Sequence, residues 1–219
     1  MGEDSGRRWI PLCGGSVVAS TLTVLVTFIL SVALYTSSPV MPVYPKFLPV
    51  KLTFPCLNVG YSPFWQYISE LGMGPTAQIF NAGMIAAGFL GLPAAPAIRR
   101  VLDGSFIVTS GSLSWLLGAV AMVGLGLFPM TPAFFIVNPH GLVSPFIGLS
   151  LAAAFLGYSL ARSMDNPLLK AYGWMGLGVL VMGVVLGATR NPLLEWVAAI
   201  IMVVFFIIFG LQILLKAKK

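Results

Sequence analysis

Two side chains in this sequence have the types and the placement for acid–base chemistry. His140 is the sole histidine, set in Asn138-Pro139-His140-Gly141. Glu70 lies within the stretch Tyr67-Ile68-Ser69-Glu70-Leu71-Gly72. A carboxylate brought against an imidazole holds it cationic near neutral pH, and the pair can then give and take a proton. Ser69, Ser144 and Thr131 are available hydroxyls. The spacing assembles no nucleophile, base and orienting group from them. No phosphate-binding glycine loop, HExxH or CxxC is present. Cys13 and Cys56 with one histidine make no metal-ligand pattern, and the carboxylates of a two-metal site are missing. No metal and no cofactor is expected. The candidate acid and base are thus His140 and Glu70. The wider set of polar groups that could bind something is Ser69, Glu70, Asn81, His140, Arg190 and Glu195.

Those groups stand out because the chain around them is so apolar. Of 219 residues, 58% are hydrophobic and only 8% charged. A soluble domain carries about 25% charged residues, so this chain could not cover a water-facing surface. A disordered chain would be poor in aliphatic and aromatic residues, which excludes that class as well. What remains is a polytopic membrane protein, with lipid as the solvent for its side chains. Six apolar runs are each long enough to cross as a helix: Ser16 to Tyr35, Ala77 to Ala97, Ser105 to Phe128, Gly141 to Ala161, Ala171 to Ala188 and Leu193 to Leu215. They predict an all-α bundle of six transmembrane helices forming a single membrane domain over residues 1–219. Arg7 and Arg8 ahead of the first run resemble the start of a signal peptide, but no clean cleavage pattern follows and the run reads as a retained span.

A long loop, Thr36 to Thr76, separates the first two runs. Pro39, Pro42, Pro45, Pro49, Pro55 and Pro63 forbid a regular helix over its first two thirds. Tyr44, Phe47, Phe54, Tyr61, Phe64, Trp65 and Tyr67 make it apolar, so it should lie on the interface or over the helix ends. Ser62 to Leu71 reads as a short helix, with Ser62 as N-cap and Pro63 at the first position. Glu70 there would be solvated, or paired with Lys46 or Lys51. Near the last run, Asn191 before Pro192 reads as an N-cap, and Glu195 as a first-turn acid with Arg190 as its partner. Gly83 with Gly88, Gly118 with Gly126, and Gly176, Gly183 and Gly187 are spaced for close helix contact.

Basic residues give the orientation. With six spans, nine of the twelve fall on one side: Arg7, Arg8, Arg99, Arg100, Arg162, Lys170, Lys216, Lys218 and Lys219. Lys46, Lys51 and Arg190 fall on the other. The net charge of +6 is therefore read as topology and not as a nucleic-acid footprint. The expectation is a multi-pass protein of the cell membrane with both termini cytoplasmic. Glu70, Asn81, His140, Arg190 and Glu195 then gather at the outer face.

Tyr67-Ile68-Ser69-Glu70-Leu71-Gly72, followed by Phe80-Asn81-Ala82-Gly83 and Gly88, resembles the opening signature of an uncharacterised prokaryotic membrane family, the domain of unknown function 998. Gly124-Leu125-Gly126-Leu127-Phe128-Pro129 is similar to its glycine-rich run ending in Phe-Pro. His140 matches its loop histidine and Glu195 the acid opening its last helix. The resemblance runs from Ser16 to Leu215 and implies a six-span bundle with no assigned chemistry. Two positions depart from it. Met130 stands where members often carry an acid, and Trp196 where they often carry arginine.

Three functions fit these residues. The first is a non-catalytic accessory subunit or lipid-associated scaffold of a membrane complex, favoured by the missing catalytic set and the apolar loop. The second is an outer-face enzyme acting on a lipid or isoprenoid substrate, with His140 and Glu70 as acid and base. The third is a small transporter, which needs a polar path that the Gly, Ala, Ser and Thr of the span centres do not supply. The partners expected are membrane lipid and other membrane-protein subunits, with no nucleic acid. The orientation predicts that an impermeant thiol reagent added outside reaches Cys56 and not Cys13; labelling of Cys13 alone inverts the topology.

Overall fold

The structure, a computed structural model, describes residues 9–35, 61–63, 66–72, 74–128, 144–163, 165–189 and 191–216. Its helices are α1 (Trp9–Ala33), α2 (Ala77–Gly91), α3 (Ala94–Val101), α4 (Phe106–Leu127), α5 (Pro145–Ser163), α6 (Pro167–Thr189) and α7 (Pro192–Lys216). A 3-10 turn, Ile68–Gly72, precedes α2. The described residues contain no strand. Six helical segments are long and apolar enough to cross a membrane, with α2 and α3 counting together as one span. The protein is an integral, multi-pass membrane protein, as its composition predicts.

The helix boundaries follow from their capping residues. α5, α6 and α7 all begin on proline. The first turn is where proline costs nothing, because its missing N–H would have no intrahelical partner anyway. Asn166 and Asn191 precede two of these prolines, and each side-chain oxygen accepts from the N–H two residues on, Leu168 and Leu193, at 2.9 Å. The predicted Asn191 cap is thus present. Its twin at Asn166 starts α6 four residues ahead of the apolar run read from Ala171. α1 likewise starts at Trp9 and not Ser16, because Pro11 falls in the tolerant first turn. α5 starts at Pro145; residues 141–143, included in the predicted span, lie outside the described residues.

The span formed by α2 and α3 is broken at Leu92 and Pro93. Pro93 and Pro96 cannot donate, and Ala95 N–H bonds to Leu92 O instead of reaching back to Gly91. Gly91 O is left without its helical donor inside an apolar bundle. The indole of Trp115 on α4 donates to it at 2.8 Å. One turn away, Ser112 Oγ donates to Ala95 O at 2.5 Å, and Ser20 Oγ on α1 donates to Ala87 O at 2.8 Å. The span's own Leu92 and Ala95 N–H groups thus take the carbonyls of Phe89 and Leu92, and a neighbouring helix takes that of Gly91, the condition under which proline is tolerated in a span.

Around the bundle, α7 packs on α1, α1 on α2, α2 on α4, α4 on α5 and α5 on α6, with a lighter α6–α7 contact. Small residues set the tightest seams. A Cβ at Gly83 would collide with Thr27 of α1, and Gly157 of α5 lies against Gly173 and Gly176 of α6. Cys13 is fully buried in this core, so thiol labelling reports topology through Cys56 alone. Trp115→Phe keeps an aromatic ring, though a smaller one, and removes the N–H. It should destabilise the protein by about 1–3 kcal/mol through the orphaned Gly91 carbonyl, seen as a lower melting temperature in detergent. An unchanged melt would mean that another donor reaches Gly91 O.

Candidate functional site

The helical reading of Ser62 to Leu71 is only partly met, and the reason defines the site. In a continuous helix the N–H groups of Tyr67 and Ile68 would bond to carbonyls four residues back. Two carboxylates take them instead. Glu70 Oε1 accepts from Tyr67 N–H at 3.2 Å, an acid reaching back three residues as in the return half of a capping box. Glu195 Oε2, from the first turn of α7, accepts from Ile68 N–H at 2.7 Å. The chain consequently forms an isolated turn, with Gln66 N–H on Ser62 O at 2.9 Å, and then the 3-10 turn Ile68–Gly72.

Aromatic groups complete the attachment. Trp196 Nε1 donates to Tyr61 Oη at 2.9 Å. Tyr61 Oη in turn sits 3.0 Å from Gln66 O and 2.8 Å from Tyr67 O, its one proton shared between these carbonyls. Tyr61 meets Trp196 and Tyr35 edge to face, at 5.7 and 5.4 Å between centroids. Phe28 meets Trp196 edge to face and stacks on Phe80. Burial pushes the Tyr61 phenol far above its ordinary range, so it remains a donor throughout the physiological pH range. Asn81 Nδ2 donates to Gly72 O at 3.2 Å, which ties the turn to α2 as well.

Of the six residues that the sequence singles out, the structure brings together Ser69, Glu70, Asn81 and Glu195. Ser69 is half-buried on the same turn. His140 and Arg190 lie outside the described residues, as do Lys46, Lys51 and Asn138. Glu195 was expected to lean on Arg190; among the described residues its bond is to the Ile68 amide, 127 residues away in sequence. Trp196 and Gln66 were not among the candidates. The signal for Trp196 was its place: an indole one residue beyond an acid, at a helix end near an interface, where a ring can be buried and its N–H bonded.

Below this cluster, an apolar cavity of about 60 Å³ opens between α1, α2, α4, α5 and α7. Ala199, Met202 and Phe206 line it from α7. They fall one, two and three turns below Glu195 on the same helical face. Phe28 lines both the cavity and the aromatic cluster. No group of three or more potential metal ligands occurs among the described residues.

Glu70 and Glu195 are close enough for their charges to interact. Burial also raises the Glu70 carboxyl above its ordinary 4.5, opposed by the Tyr67 amide and the Gln66 side chain. A carboxyl raised in the folded state contributes stability that is complete below pH 4.5 and is lost as pH rises through the raised value. Amide hydrogens of residues 68–72 should therefore be best protected in acid, with protection falling toward neutral pH. Glu70→Gln should flatten that dependence, measured as protection factors corrected for intrinsic exchange. Identical pH profiles for the two proteins would refute the assignment.

A family model described as "Protein of unknown function (DUF998)" matches residues 47–212. No curated protein and no solved structure matches the chain. The match covers the 3-10 turn, all of α2 to α6 and most of α7, including the bond between Glu195 and Ile68. The chain, with its six candidate membrane spans, belongs to this family of unknown function, DUF998.

Proposed function

We propose that the protein is a non-catalytic accessory subunit or lipid-associated scaffold of a membrane complex. The observation that carries this reading is the use made of the two acids. Glu70 and Glu195 each hold a backbone N–H of one segment, at Tyr67 and Ile68. Tyr61 and Trp196 fasten the same segment through its carbonyls. Glu70, one of the two candidates for acid–base chemistry, and Glu195, a candidate binding group, thus pin an extramembrane segment onto helix ends. That is the requirement for presenting a fixed surface to a partner. The adjoining cavity offers apolar side chains and no polar route, which also speaks against the transporter reading.

One observation favours the second reading, an outer-face enzyme on a lipid or isoprenoid. The raised Glu70 carboxyl keeps its proton closer to neutral pH than an ordinary glutamate, as a general acid needs. An apolar cavity beneath it would suit a hydrocarbon tail. Purification in mild detergent separates the two. The scaffold reading expects a stoichiometric membrane-protein partner that is retained by His140→Gln and weakened by Glu70→Gln, which loosens the pinned segment. A lone, monodisperse protein with a lipid trapped beside Glu70 overturns it in favour of the enzyme.

A further inference from the structure

The end of the bundle opposite the Glu70–Glu195 cluster concentrates positive charge. Arg99 and Arg100 close α3, Arg162 lies in the last turn of α5, and all three are exposed. They lie at the same end of the bundle. Arg162 is close enough to Asp103, in the α3–α4 connection, to act on its charge. Gly118 of α4 packs on Leu149 of α5, and Gly111 on Leu156. Continued by one more turn, this antiparallel register brings Phe106, the first residue of α4, level with Arg162. α3 itself is sharply two-faced. Ala94, Ala95, Ala97 and Ile98 are buried, while its two arginines face outward.

Ordinary capping explains part of this, since cations at a helix C-terminus complement the helix dipole. It does not explain the apolar side chains beside them. Phe106 is 83% exposed and Leu168, at the start of α6, 78% exposed. Trp9 stands under Arg100, whose guanidinium carbon is 3.9 Å from the ring centroid. The indole holds that guanidinium in place through cation–π attraction. Cationic heads next to unpartnered apolar groups match the boundary between phospholipid headgroups and acyl chains. Asp103 and Asp165 are the described acids at this end, and the Asp103 carboxylate accepts from Ser105 N–H at 3.0 Å. With Lys170 in the first turn of α6, four basic residues against two acids leave the rim positive.

We propose that this rim is a binding site for an anionic phospholipid. Arg99, Arg100 and Arg162 hold the headgroup phosphate, and the acyl chains run down the bundle past Phe106. The occupant is argued from charge complementarity and from the exposed apolar groups that mark the hydrocarbon level. The site is independent of the scaffold reading, because it uses none of the residues of the opposite end.

The test takes the full chain, reconstituted in vesicles of equal parts phosphatidylcholine and phosphatidylglycerol, extracts it gently and quantifies the retained lipid by mass spectrometry. Phosphatidylglycerol should be enriched over the vesicle ratio. Each arginine removed should lower the enrichment by at most about fivefold. The triple variant R99Q/R100Q/R162Q should return it to the vesicle ratio, and the matching triple lysine variant should keep most of it. Should the glutamine variant fail to assemble, the wild type in molar salt gives the same reading, since exposed charge pairs are screened there. Absence of enrichment in the wild type overturns the proposal, as does enrichment that survives both the glutamine variant and molar salt. Loss of the enrichment to millimolar inorganic phosphate would assign the arginines to a free anion and overturn it as well.

Discussion

In hydrocarbon, a backbone N–H or C=O without a partner costs several kcal/mol, because no water is at hand to replace it. This constraint governs the break inside the second span, and burial among aromatic side chains imposes a milder form of it on the turn outside the spans. At Pro93 a span breaks, Gly91 O loses its helical donor, and a tryptophan from another helix supplies one. At the opposite end, the amides of Tyr67 and Ile68 leave the helical pattern, and two glutamates supply acceptors. In both places a polar side chain in an apolar sequence is spent on the main chain. The scarcity of such side chains makes each of them informative.

That accounting recasts the residues through which the chain resembles its family. Phe80 stacks on Phe28, Asn81 holds the carbonyl of Gly72, and Gly83 admits Thr27 of α1 to close contact. Gly126 lets α4 approach the backbone of α2 at Asn81. Glu195 reaches from the last span to the turn before the second. The motifs are the two sides of one fastening that joins α1, α2, α4 and α7 to the extramembrane turn. Trp196, the residue after Glu195, presents an N–H donor to Tyr61 without adding charge to this end.

The two ends of the bundle therefore differ in character. One end is acidic and aromatic, with Glu70, Glu195, Tyr61 and Trp196 hydrogen-bonded around a pinned segment. The other is basic and amphipathic, with arginines and a phenylalanine facing outward. Between them, among the described residues, lie mainly apolar side chains, close-packed glycines and a few buried hydroxyls.

The sequence alone determined the membrane class, the number of spans and the Asn191 cap. These depend on local quantities: run length, charge scarcity and the chemistry of adjacent residues. It placed span starts less well at Trp9 and Pro167, because proline and lysine in a first turn look like interruptions when they are entry points. It identified Glu70, Asn81 and Glu195 as unusual by type alone. Only the tertiary structure decided what they do. Whether a glutamate meets an arginine five residues away or an amide 127 residues away depends on which helix ends are neighbours. Neighbourhood in this bundle is set by where glycines let backbones touch, a relation between distant segments that spacing along one segment does not encode.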